Sequence, residues 1–554
     1  MATKRANYFL VLAFALPILL LGLWPICILL FRSLANAGSE GGLEIFLSLL
    51  SNPSTRVALT NSLILAVSTA ILSVLLAFPL SWLVVRTQIP GRKTLRILLA
   101  IPFAIPPYLG AIAWIRLANP SNGLINSVFG LGLDVYSWPG LVLAMTGFFY
   151  ATAFLVISTA MEKMDSSLEE AARIAGASPL AVLWKINLPL LRPAVLGAFM
   201  LVFLGALASY GVPALIGNPA RISVVTTRIV SLQKVGSEAS FQSAGLLSAA
   251  LLLLSGLALL LFARAERQSE AMVRGKAVRI SLVDLGRMRY TAAGLVWFFV
   301  FIVLGLPVLT IAIAACSQTQ GVLTLSNFTL GHFSRVFLEL DEVGRAFRNS
   351  FLLASVCATV ATIFGFAIAY LAEKKKAPGG HGLIALANLP YSTPGTVLAL
   401  GLIVAFSQPS FFVIPSLYNT LWLLGLAYIV KDLSYAVRTG RNSLGQIHES
   451  LDEAARICGA GRMSRWGRIW LPLLTPALAA SWILIFLPAF SELTMSVLLT
   501  GPGLETVGTL LFQLQEYSDE SGGGGAAVLA LSLVVIALVL SIASQWLLRT
   551  GSKK

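Results

Sequence analysis

Ser167-Leu168-Glu169-Glu170-Ala171-Ala172-Arg173-Ile174-Ala175-Gly176 is matched further along the chain by Ser450-Leu451-Asp452-Glu453-Ala454-Ala455-Arg456-Ile457-Cys458-Gly459. After nine intervening residues a second block follows each glycine, Ile186-Asn187-Leu188-Pro189-Leu190-Leu191 and then Ile469-Trp470-Leu471-Pro472-Leu473-Leu474. Each copy reads as two short helices joined by a turn. Ser167 and Ser450 stand three residues before Glu170 and Glu453, the spacing of a capping box. The alanines and arginine propagate a helix, and Gly176 and Gly459 sit where a left-handed C-terminal cap stops it. The second helix is expected to end before Pro189 or Pro472. The next apolar span then opens near Pro193 or Pro476, since proline is tolerated in a first turn.

The repetition extends outward. Asn61-Ser62 recurs as Asn349-Ser350, and Pro102 and Pro106 recur as Pro390 and Pro394, all at one offset. Apolar residues make up 57% of the chain and charged residues 11%, where a soluble domain carries about a quarter charged. Apolar runs of about 20 residues, long enough to cross a bilayer as helices, account for the difference. Twelve spans are predicted, at 8–32, 57–85, 97–118, 140–161, 193–217, 241–263, 293–315, 348–372, 382–406, 419–438, 476–500 and 526–548. With both termini cytoplasmic, most Lys and Arg fall in cytoplasmic segments, as the positive-inside rule requires. The expected fold is all-α and membrane-embedded: two parallel six-helix repeats (1–263 and 291–554) joined by a charged cytoplasmic linker, 264–290. Each repeat carries one of the matched loops, 165–192 and 448–475. Parallel repeats face each other across an axis along the membrane normal, which places a pathway between them.

Other readings of the composition are weaker. A net charge of +15 in a soluble chain points to nucleic acid, but here it follows from the positive-inside bias, and no nucleic-acid partner is expected. Lys4 and Arg5 followed by apolar residues resemble a signal peptide, yet the stretch from Tyr8 to Phe31 is too long for a signal core; an uncleaved first helix is expected. Cys27, Cys316, Cys357 and Cys458 are scattered and form no metal or disulfide pattern.

The loop pattern, E-A-A, three residues, G, nine residues, I-x-L-P, resembles the signature loop of ABC importer permeases. Glu170, Ala171, Ala172, Gly176, Ile186, Leu188 and Pro189 meet it in the first repeat. Glu453, Ala454, Ala455, Gly459, Ile469, Leu471 and Pro472 meet it in the second. The resemblance implies that these loops form coupling helices docking into clefts on cytoplasmic ATPase subunits, whose ATP-driven closure switches the permease between inward- and outward-facing states. Glu170 and Glu453 can both cap and dock.

No G-x-x-x-x-G-K-[ST] phosphate loop occurs; Gly91-Arg92-Lys93-Thr94 lacks the first glycine and follows a span. The chain is therefore expected to have no cofactor and no enzymatic activity of its own, with ATP and Mg used by a separate subunit. Two fused repeats imply one copy of this chain, two ATPase copies, and an extracytoplasmic binding protein, in a bacterial inner membrane. A membrane enzyme is disfavoured, because His332, His381 and His448 form no paired motif. An ion-coupled secondary transporter would place ionisable groups in its spans. Lys431 and Asp432 lie inside the span 419–438, and Glu492 lies in the outer part of 476–500. Ser491-Glu492 and Ser209-Tyr210 each break an apolar run with polar groups, as a pathway lining does; a helix–helix hydrogen bond is the plainer alternative.

The motif Ser209-Tyr210-Gly211-Val212-Pro213 and the second half's Ser491-Glu492-Leu493 look similar to ferric-iron importer permeases. Fused thiamine permeases share the plan, and polyamine and phosphonate importers are close relatives. No cluster of Tyr, His and carboxylate ligands is readable in the spans, so a ferric cargo is expected to pass without tight binding.

Overall fold

The computed structural model describes residues 2–35, 51–164, 167–272, 282–407, 416–516 and 523–551. In the first half the main helices are α1 (Tyr8–Ser33), α2 (Pro53–Arg86), α3 (Arg92–Ala100), α4 (Pro107–Ala118), α5 (Trp138–Lys163), α6 (Ser167–Ile174), α7 (Leu183–Leu207), α8 (Val225–Val235) and α9 (Glu238–Met272). In the second half they are α10 (Met288–Ala315), α11 (Asp341–Glu373), α12 (Gly380–Ser392), α13 (Gly395–Phe406), α14 (Leu421–Gln446), α15 (Glu449–Ile457), α16 (Met463–Phe490), α17 (Val507–Glu516) and α18 (Gly524–Gly551). Among the described residues pairing of β type is confined to two isolated bridges. The order of elements repeats from one half to the other.

Eight of these helices are long and apolar enough to cross a membrane, and two bent pairs raise the number to ten. The two remaining expected spans fall on α14, whose length is interrupted by Lys431, Asp432, Arg438 and Arg441, and on α18, described as apolar over Gly524–Leu540. The linker residues Arg274, Lys276 and Arg279 lie outside the described residues.

Two expected spans are not straight. The span 97–118 bends by 99° between α3 and α4, and 382–406 by 102° between α12 and α13. The cause is the second proline of each repeated pair. Ile105 before Pro106 has φ −92° and ψ 124°, and Thr393 before Pro394 has φ −83° and ψ 130°; proline drives its predecessor out of the helical region. The repeated Asn-Ser pair also has a physical reason. Ser62 Oγ accepts from Val225 N (2.8 Å) and Asn61 donates to Ser223 O (2.9 Å). Ser350 Oγ accepts from Val507 N (2.9 Å) and Asn349 donates to Glu505 O (3.0 Å). In each half the pair therefore fixes the start of a short helix, α8 or α17, against the long helix α2 or α11.

The halves clasp each other. The first helix of each packs on the bent pair of the other, α1 against α12 and α13 and α10 against α3 and α4. Gly401 permits the approach, since a Cβ there would stand 2.8 Å from the Pro25 carbonyl oxygen. One buried apolar cluster runs through both halves, from Leu29 and Ile112 to Leu400 and Leu511. Burial of this kind, with interhelical hydrogen bonds, is what holds helices together where lipid offers no hydrophobic drive.

Candidate coupling loops and interface cavity

The helix–turn–helix geometry of both loops follows from their sequence. Gly176 has φ +85° and Gly459 φ +75°, the left-handed region that favours glycine. Ala177 N bonds to Ala172 O and Ala460 N to Ala455 O, each at 2.9 Å, the long bond of a Schellman cap. The N-terminal prediction needs correcting in the second copy: His448, not Ser450, caps α15, its ring nitrogen accepting from Ser450 N at 3.3 Å. The helix thus starts before Ser450, and Glu453 lies too deep in it for a reciprocal box. In the first copy α6 already includes Ser167, and the residues just before it lie outside those described. The second helices do not stop before Pro189 and Pro472 either. A π-turn, Leu183–Asn187 or Trp466–Trp470, leads directly into the α-helix, placing each proline in a first α-turn where its missing N–H is tolerated.

Glu170 and Glu453 are exposed, as are Ala171, Ala454, Gly176, Gly459, Pro189 and Pro472; Ala172, Ala455, Ile186, Ile469 and Leu188 are half-buried and Leu471 is exposed. The most telling positions are Ile174 and Ile457, matched by the repeat and 89% and 87% exposed. Each of the two loop helices, α6 and α15, presents an isoleucine outward at its last turn.

Sequence reasoning missed the residues that root these helices. Arg86, the last residue of α2, forms a fully buried ion pair with Glu169 at 3.6 Å and donates to the carbonyls of Met161 and Met164. In the second loop Asp452 accepts from Arg465 (2.6 Å) and from Trp470 Nε1 (3.1 Å), and pairs with Arg456. Burial pushes the Asp452 carboxyl up, but the hydrogen bonds from Trp470 and Arg465 and the nearby guanidinium charges outweigh it and hold it below the ordinary carboxylate range. The signal available was the equivalence of Glu169 and Asp452 in the repeat.

Between the halves lies a cavity of about 290 Å³ lined by Ser209, Tyr210, Ser491 and Glu492, together with Tyr108 and Tyr435. The two polar breaks named from sequence thus meet at one place. Tyrosines and one carboxylate line the cavity because the fold brings α4, α14 and the end of α16 together, while among the described residues no group of three or more His, Cys, Asp or Glu side chains is placed to hold a metal ion. The polar groups of Glu492 and Tyr108 are engaged. Glu492 accepts from Met495 N (2.8 Å), Ser496 N (3.0 Å) and Ser496 Oγ (2.7 Å), and Tyr108 donates to Ser491 O (3.0 Å). Lys431 is spent at the bend, donating to Thr393 O at 2.9 Å, while Asp432 is buried on the same helix; neither lines the cavity.

The family model for "Binding-protein-dependent transport system inner membrane component" matches this chain twice, over residues 77–268 and 361–550. The chain belongs to that family. It is a multi-pass inner-membrane permease with the family unit present in each half. The Fe(3+)-transport system permease protein FbpB 2 of Haemophilus influenzae is 25% identical over 94% of this chain and 95% of its own length. The ferric transport system permease protein FbpB of Actinobacillus pleuropneumoniae is 25% identical over 87% of this chain and 70% of its own. The spermidine/putrescine permease PotC of Escherichia coli is 26% identical over 46% of this chain and 92% of its own. Both matched regions of this permease include one of the repeated loops and the polar break that follows it.

Proposed function

We propose that this permease carries ferric iron inward, receiving it from a separate extracytoplasmic binding protein and driven by two copies of a separate cytoplasmic ATPase that uses ATP and Mg. The cargo assignment rests on one observation: relatives named as ferric transport permeases align along nearly the whole chain, both halves included. The drive is assigned to α6 and α15. Their matched, outward-facing Ile174 and Ile457 leave apolar side chains for a partner to cover, beside the exposed Glu170 and Glu453. Both termini, the linker 264–290 and both loops are placed on the cytoplasmic side. Val283, just past the undescribed part of the linker, bonds to the end of α2 beside the first loop (Val283 N to Arg86 O, 2.8 Å), in keeping with that placement. The pathway is assigned to the cavity between Ser209-Tyr210 and Ser491-Glu492, at the interface of repeats 1–263 and 291–554. With the polar groups of Glu492, Tyr108 and Tyr435 already hydrogen-bonded within the protein, the cavity suits passage better than tight coordination.

The test is vesicle uptake of radiolabelled ferric ion supplied on its binding protein, with and without ATP, alongside thiol labelling of Ile174→Cys and Ile457→Cys in a background free of the native cysteines. Uptake should need ATP, and the ATPase should shield both new thiols. ATP-independent uptake would mean a secondary transporter; uptake of thiamine or spermidine instead of iron would reassign the cargo.

A further inference from the structure

The two halves build the same joint at the root of each coupling helix, with different chemistry. In the first, Arg86 closes α2, its side chain fully buried, and its guanidinium holds Met161 O and Met164 O at the end of α5. The same guanidinium meets Glu169 of α6, also fully buried, at 3.6 Å. Three elements converge on one cation: α2, α5 and the coupling helix.

The second half repeats the plan. Lys374, just past the end of α11, donates to Ile447 O at 2.7 Å, at the end of α14. By the repeat, Ile447 matches Met164 and Asp452 matches Glu169. Here, however, an indole is interposed. Lys374 Nζ lies 5.7 Å over the Trp470 ring, and Trp470 Nε1 donates to Asp452 at 3.1 Å. Trp470 matches Asn187, which is fully buried in the first half. Cation, span-end carbonyl and coupling-helix carboxylate are thus common to both, joined directly in one half and through a neutral ring in the other.

We infer that Arg86–Glu169 and Lys374–Trp470–Asp452 are matched force-transmitting joints, positioning each coupling helix so that it moves as one body with the ends of two membrane helices. This rests on the reading of α6 and α15 as the ATPase-docking helices. The first joint depends on charge, because a buried ion pair holds only while both partners are ionised and present. The second depends on the indole. Arg86, Glu169 and Trp470 are buried, whereas Ile174 and Ile457 are exposed. The joints therefore act after docking, on the transfer of motion.

The experiment measures ATP hydrolysed per cargo transported, together with ATPase copurification, in vesicles of the assembled transporter. Glu169→Gln and the apolar double replacement Arg86→Met/Glu169→Leu are compared with Arg86→Lys, which copies the cation of the other half. The expected result is a normal amount of bound ATPase, about a tenfold rise in ATP per cargo for Glu169→Gln and the double variant, and a ratio close to wild type in Arg86→Lys. Trp470→Phe, which keeps the ring and loses the N–H, should raise the ratio through the second joint. The double variant guards against misfolding, because well-packed apolar replacement of a buried pair is often tolerated; Glu169→Gln serves if it fails to assemble. A wild-type ratio in the Glu169 variants with ATPase bound overturns the inference. Absence of ATPase from the wild-type complex overturns the docking reading itself, and is a distinct outcome.

Discussion

Trp470 donates its indole N–H to the Asp452 carboxylate, linking the last residue of a π-turn to the first turns of α15. Trp470 is buried while Asp452 also binds Arg465 and Arg456, so the carboxylate keeps charged partners when the indole N–H is removed. Trp470→Phe should therefore loosen the second loop by about 1–2 kcal/mol, the low end for a hydrogen bond to a charged group. Hydrogen exchange should quicken across α15 and stay unchanged across α6. Equal quickening in both would mean the two loops are not independent.

The same carboxylate sets a pH limit on that loop. Its folded-state pKa lies below the ordinary value, so the unfolded loop binds the proton more readily. The stabilisation is complete above about pH 4, the ordinary aspartate value, and is lost as pH falls through the depressed folded value. A fluorine label on Trp470 should show an unchanged resonance from pH 8 to 5 and a shift only below about pH 4. Asp452→Asn should produce the shifted signal at neutral pH. A transition already complete at pH 6 would mean that the Asp452 carboxylate does not set the limit.

The internal duplication, the helical class and the left-handed glycines were legible because each is written in contiguous residues. The bends were visible only as paired prolines: sequence shows that Pro106 and Pro394 disturb a helix, but shows neither the size of the 99° and 102° bends nor the seating of each bent pair on the first helix of the opposite half. Arg86 was hidden for another reason. A cation at the end of an apolar run satisfies the positive-inside pattern, and nothing local reveals that it turns inward to Glu169. Lys431 and Asp432 drew attention as intramembrane charges, yet Lys431 serves the carbonyl that the Pro394 bend frees. Tyr108 and Tyr435 reach the cavity from helices far apart in sequence.

Gly176 and Gly459 allow strain and steric blockage to be separated. A Cβ at either position meets nothing within 4 Å, so any penalty comes from the backbone. Alanine should cost about 1–2 kcal/mol through the left-handed conformation, and valine more, because β-branching disfavours it further. With both glycines replaced by valine, the protein should still reach the membrane while ATP hydrolysis runs without transport. Normal coupling in that double variant would sink the docking role of the loops.

Glu492 distinguishes a cap from a cation-guiding group. Both carboxylate oxygens accept hydrogen bonds, one from Met495 N and the other from Ser496 N and Oγ, at the start of the short helix Ser496–Leu499. Glu492→Gln keeps one acceptor but turns an amide donor toward N–H or O–H groups already donating. It should therefore destabilise by about 1–3 kcal/mol, the cost of leaving a buried donor unmatched. Ser496→Ala retains the charge and both backbone contacts but strips the buried Tyr428 hydroxyl of its 2.6 Å partner, so it should destabilise by a similar amount while leaving the carboxylate in place. If the carboxylate also attracts a cationic cargo into the cavity, Glu492→Gln lowers iron uptake per folded molecule while Ser496→Ala does not. Thermal denaturation in detergent and initial uptake rates, measured on the same preparations, separate the two effects. A Glu492→Gln protein that is less stable but transports normally per molecule would restrict Glu492 to capping.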